Sequence, residues 1–214
     1  LGYMMTGLDA NGVEISASGH LVDTWVYDNF SSPAMQNMGD FRFSGTKYYY
    51  VNYSEGIYVG YRYYETRYED TVLGAANVGE YDYASTVTYP FGYGLSYTEF
   101  KTELISFENL TARVRVTNVG SAAGREVVQL YCRAPQGKLG KAKKVLCAFQ
   151  KTRLLQPGEA QTLEMAFDLE LLASYDDLGK VCKSAWLLEK GAYTFHIGTS
   201  VRDTVKADAA YVLE

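Results

Sequence analysis

Glu55 has the setting best suited to acid–base chemistry. It sits in a Ser-Glu-Gly tripeptide beside a run of tyrosines, and apolar surroundings raise a carboxyl pKa toward the range a general acid needs. A structural role is simpler: a glutamate bonded to backbone or to a nearby arginine such as Arg62, since structural ion pairs perturb carboxyl groups too. Trp25, Tyr27 and Phe41 are aromatic residues able to stack on the apolar face of a sugar ring, which makes them the candidate substrate-binding residues, at a pocket rim. The competing role, which we favour, is sealing contacts between domains, where aromatic residues are common. Asp23 and Asp28 suit turn caps. His20, His196, Cys132, Cys147 and Cys182 include no pair at the close spacing of a zinc site, so no metal is expected. Gly92 and Gly94 lie in an aromatic turn and not in a strand-to-helix phosphate loop, and no cofactor is expected. Lys138, Lys141, Lys143 and Lys144 read as a solvated hairpin whose lysines discourage edge-to-edge pairing. His196 alternates within a strand and is expected at the surface or an edge.

The elements that would carry these residues are mainly β. Leu110–Thr117 alternates apolar and polar residues, the period of a half-buried strand. Phe100–Phe107, Glu126–Arg133, Lys144–Phe149, Gln161–Phe167, Gly191–Gly198 and Ala207–Leu213 are the other strand-like runs. Turn signals separate them at Asn118-Val119-Gly120, Pro135-Gln136-Gly137 and Pro157-Gly158-Glu159. Leu169–Tyr175 suits a short helical turn. About seven strands in roughly a hundred residues is the size of an immunoglobulin-like sandwich. Residues 1–88 differ. They are irregular, rich in tyrosine, glycine and asparagine, and poor in helical periodicity. The expected division is an arm over 1–88, wrapped on a protein surface, followed by a β-sandwich over 89–214.

Composition narrows the function. Hydrophobic residues make up 47% of the 214 and tyrosine supplies 20 of them, enough for a buried core with half-wet surfaces. The formal net charge of -5 disfavours nucleic acid, which needs a basic footprint. No apolar run is long enough to span a bilayer, so no membrane partner is expected, and residues 1–12 lack the pattern of a signal peptide. Three cysteines at wide spacing are expected to be free thiols, which points to a reducing, cytoplasmic setting. Three Asn-X-Ser/Thr matches, at Asn29, Asn52 and Asn109, are of a kind that arises often by chance.

Four segments, in order, resemble glycoside hydrolase family three. Ser16–Trp25 (SASGHLVDTW) is similar to the loop leaving the last strand of that family's α/β-sandwich domain. Asn52–Glu65 (NYSEGIYVGYRYYE) resembles its linker. Tyr89–Thr98 (YPFGYGLSYT) resembles the entry to its fibronectin-III-like domain, and Lys144–Glu159 (KVLCAFQKTRLLQPGE) a stretch inside that domain. Gly191–Ser200 extends the match over nearly the whole chain. The resemblance implies a retaining β-glycosidase that needs two carboxylates about the glycosidic bond. It also implies that both of them, the nucleophilic aspartate of a barrel domain and the acid/base glutamate, lie outside this chain. Catalytic residues are therefore none, and the missing catalytic domains are the expected partners. Lacking them, residues 1–88 should expose apolar surface and favour self-association. A stand-alone carbohydrate- or protein-binding module is the alternative, disfavoured because the first half shows no core of its own.

Overall fold

The computed structural model describes residues 7–8, 14–15, 19–28, 31, 55–72, 74 and 79–213. Phe41 and the first residues of the 52–65 motif lie outside them. In chain order come β1 (Gly7–Leu8) and β2 (Glu14–Ile15), which pair with each other, then β3 (Trp25–Val26), helix α1 (Tyr61–Val72), the short helix α2 (Tyr83–Thr86) and β4 (Val87–Tyr89), which pairs with β3. The sandwich follows: β5 (Phe100–Glu108), β6 (Thr111–Asn118), β7 (Val127–Arg133), β8 (Val145–Lys151), β9 (Ala160–Ala166), a 3-10 turn at Leu169–Leu172, the hairpin β10 (Ser174–Asp176) and β11 (Ala185–Leu187), then β12 (Gly191–Gly198) and β13 (Thr204–Leu213). One sheet has the order β13-β12-β7-β8 and the other β5-β6-β9, all antiparallel.

The seven long strands are those read from the sequence, with ends displaced by a residue or three. β6 shows why they were legible. Ala112, Val114 and Val116 are buried while Arg113 and Arg115 face solvent, the two-residue period that follows from the pleat. Val114, Val116, Val128, Leu130, Leu163 and Phe195 form the centre of the core. Phe195 stacks on Phe107 at 4.4 Å between centroids and meets Phe167 at 5.4 Å. Burying each large apolar side chain here contributes about 1.5–3 kcal/mol. At the sandwich end Asn118 is fully buried and saturated. Its amide donates to Ala122 O and Leu155 O, and its oxygen accepts from Thr98 Oγ1 and the Gly120 amide.

Helix α1 is a twelve-residue regular element within the stretch read from sequence as irregular and poor in helical periodicity. Tyr61, Tyr64 and Glu65 form its buried face, with Thr66 beside them, at the i, i+3, i+4 spacing of one helical stripe. Tyrosines and a glutamate occupy positions where leucines would have made the stripe visible. The β10–β11 hairpin was also unanticipated: Tyr175 and Trp186 pair directly across it.

Candidate functional site: the helix seam and the aromatic edge

Strand β7 is buried at six consecutive positions, Val127 through Cys132. Val128, Leu130 and Cys132 face the core between the sheets. Tyr131 faces the other way, against Tyr61, Val201, Phe91 and Leu146. Helix α1 thus packs, through Tyr61, on the outer face of the four-stranded sheet at Tyr131 and Leu146, a face that antiparallel sheets commonly leave to water. The Tyr61 ring stacks on Phe91 at 4.4 Å and its hydroxyl accepts from the Leu146 amide at 2.8 Å.

Charge completes the seam. Glu65, Glu69 and Asp70 on α1 meet Arg202, Arg133 and Lys143 on the sandwich. Arg202 lies over the rings of Tyr68 and Tyr83, 3.9 and 4.5 Å from their centroids, while Tyr83 donates to Glu65 at 2.6 Å. Burial raises the Glu65 pKa, and the bonds and charge of Tyr83 and Arg202 only partly oppose the rise. Lys144 donates to Val201 O at 2.8 Å and to Thr204 Oγ1 at 3.2 Å. Lys141 is 5% exposed and donates to Ser174 Oγ, and burial lowers the pKa of both lysines. The solvated hairpin expected at Lys138–Lys144 is therefore wrong for Lys141, Lys143 and Lys144, which fasten this loop to the helix and to neighbouring strands. His196 is likewise no edge residue. Its strand lies between β7 and β13, its Nε2 is buried without a hydrogen-bond partner, and burial with Lys144, Arg133 and Lys206 nearby pulls its pKa down to about 4.

A second junction holds segment 19–28. Leu21 exchanges backbone hydrogen bonds with Tyr93 O and the Gly92 amide, at 2.8 and 2.9 Å, His20 bridges to Gly94, and Trp25 pairs with Tyr89. This contact explains Gly94 of the YPFGYG run, and strand β7 explains Gly92. Gly92 has φ +81 and any side chain there would overlap Gln129, while one at Gly94 would overlap the Gly19 carbonyl. Trp25 and Tyr27, two residues apart, are 50% and 67% exposed, and Val22, Leu95 and Tyr97 are more exposed still. Asp23 accepts from the following amide, Thr24 N, at 2.8 Å. Glu55 lies in the turn before α1, where its carbonyl accepts from the Tyr58 amide; the helix's acidic partners of arginine and lysine are instead Glu65, Glu69 and Asp70.

Among the described residues, the buried or largely buried carboxylates are committed to the fold. Glu65 bonds Tyr83 and Arg202, Glu126 bonds His20, and Asp176 accepts four backbone amides, from Gly179, Lys180, Val181 and Cys182. Sequence reasoning missed Glu65, Arg202, Glu126 and Asn118, because each is defined by partners far along the chain. Cys132, Cys147 and Cys182 are free thiols, buried, partly buried and exposed in turn, and burial pushes Cys147 up to about 12.

A seven-stranded sandwich with a helical arm docked on one sheet is the class of structure these features define. Residues 126–201 match the fibronectin type III-like domain. Beta-glucosidase A of Butyrivibrio fibrisolvens is 51% identical over 183 residues, 77% of this chain and 20% of that protein. A solved beta-glucosidase from Paenibacillus barengoltzii is similar in fold, with a TM-score of 0.74 and 39% identity over 90% of this chain and 20% of its own. The GH3 beta-glucosidase of Bifidobacterium adolescentis has a TM-score of 0.64 and 29% identity, over 89% of this chain and 25% of its own. The chain spans about a fifth of the length of the curated relatives it matches. It belongs to glycoside hydrolase family three, of which it is a fibronectin-III-like, non-catalytic portion.

Proposed function

We propose that this chain is the architectural portion of a retaining β-glycosidase acting on β-linked glucosides or related sugars. It braces the catalytic domains of the parent enzyme, which supply both reacting carboxylates. The observation that carries this is the commitment of the buried acids among the described residues to hydrogen bonds and ion pairs within the fold, while Trp25, Tyr27, Val22, Leu95 and Tyr97 stay exposed. Exposed apolar side chains gathered on two paired segments suit an interaction face. We assign that edge to contact with the catalytic domains, next to the pocket rim, and place the protein in the cytoplasm, a setting supported by its odd number of cysteines.

The test is turnover of aryl β-glucoside and aryl β-xyloside by the isolated chain at high concentration, together with light scattering. No hydrolysis is expected, and Trp25→Ser with Tyr27→Ser should lower self-association. Turnover abolished by Glu55→Gln would overturn the architectural role. Self-association unchanged by the two serine substitutions would remove the docking face from this edge.

A further inference from the structure

His20 joins segment 19–28 to the sandwich through both ring nitrogens. Nδ1 lies 2.5 Å from Gly92 O and Nε2 lies 2.6 Å from Glu126 Oε1. Both partners are acceptors, and both side chains are nearly buried, with 12% and 13% of their surface exposed. A neutral imidazole has one N–H, so it donates to one partner and turns a lone pair on the other. With Glu126 ionised, only the imidazolium satisfies Gly92 O and Glu126 together. We propose that His20 is a proton-controlled latch: its imidazolium fastens segment 19–28 against Gly92 and Glu126, and loss of the proton loosens that segment and the aromatic edge it carries.

The surroundings are consistent with this role. Glu126 lies at the start of β7, and Lys151, at the end of β8, opposes the imidazolium, with Arg125 beside that lysine. Burial alone would lower the His20 pKa. The hydrogen bonds to Glu126 and Gly92 O and the Glu126 charge outweigh it, and the pKa stands above its ordinary 6.5. The folded value being the higher one, the latch's contribution is fully present below 6.5 and is lost as pH rises through the folded value. What the latch controls is specific. Segment 19–28 holds Trp25 and Tyr27, and its bonds to residues 89–94 set the position of the exposed edge.

The chain has two histidines, and the low value of His196 keeps the two titrations apart. The experiment is an NMR titration of the intact chain together with chymotryptic cleavage within 19–28, between about pH 5.5 and 8.5. Cleavage rates are divided by those of His20→Gln, whose side chain has no proton to lose in this range, which cancels the protease's own pH dependence. We expect a His20 midpoint above 6.5, and a cleavage ratio that climbs about tenfold for each unit of that excess. A midpoint at or below 6.5, or a ratio flat across the titration, would overturn the latch. Should His20→Gln fail to fold, the wild-type midpoint alone decides.

Discussion

Replacing Arg202 by alanine should release much of the grip between helix α1 and the sandwich. The guanidinium spans Tyr68 and Tyr83 and pairs with Glu65 at 3.3 Å. Two cation–π contacts at a partly exposed site are worth about 0.5–1 kcal/mol each. Removing one partner of a buried ion pair costs about 3–5 kcal/mol, but two features reduce this. Arg202 keeps 34% of its side-chain surface exposed, and the Tyr83 hydroxyl still bonds Glu65 after the change. The ionic share then falls to about 1–2 kcal/mol, and the whole loss to about 2–4 kcal/mol. The pH dependence is more diagnostic. Glu65 has a raised pKa in the folded chain, so its contribution to stability is greatest below the ordinary carboxylate value and is lost as pH rises through the folded one. Without Arg202 the folded value rises further, and the variant should regain part of its loss as pH falls from 7 toward about 5. Adding Glu65→Gln to Arg202→Ala should recover stability at neutral pH, since a neutral amide is cheaper to bury than an unpaired carboxylate. Urea unfolding at both pH values gives these numbers. An Arg202→Ala variant within about 0.5 kcal/mol of wild type, or a double variant no more stable than the single, would refute the clamp.

Two further changes probe the sandwich itself. Asn118→Ala strips four hydrogen bonds from a fully buried site and takes the side-chain donor from the Ala122 carbonyl, while Leu155 O keeps the Gly124 amide; denaturant midpoints should report a loss of about 2–4 kcal/mol, and a loss under about 1 kcal/mol would mean water replaces the amide. A chain truncated to begin at Tyr89, the division proposed from sequence, keeps all seven long strands and should unfold cooperatively. It uncovers Phe91, Tyr131, Leu146 and Val201, so its melting temperature should fall and a hydrophobic dye should bind; an unchanged melt without dye binding would show that α1 adds nothing.

What was legible in the sequence followed from local physics. β6 was readable because its inward valines and outward arginines alternate at the period of the pleat. Asn118 was readable as a turn residue but not as a clamp, since Leu155 lies 37 positions away. His20 invited comparison with metal ligands, yet its partner Glu126 is 106 positions away, and no short-range pattern marks such a pair. The seam was hidden for a related reason. Its helix stripe is made of tyrosine and glutamate, and Lys143, Arg133 and Arg202 ring the apolar patch it meets, so much of each half reads as solvated surface until the other is placed on it. Interfaces between folded units are commonly built this way, with tyrosine and arginine enriched where contact is made. The edge at Trp25, Tyr27, Leu95 and Tyr97 carries the same aromatic chemistry without a cover from the described residues. Its apolar area is as costly in water as that of Tyr61 or Tyr131 would be if the helix were lifted. That equivalence supports reading the edge as a continuation of the seam, facing the catalytic domains instead of helix α1.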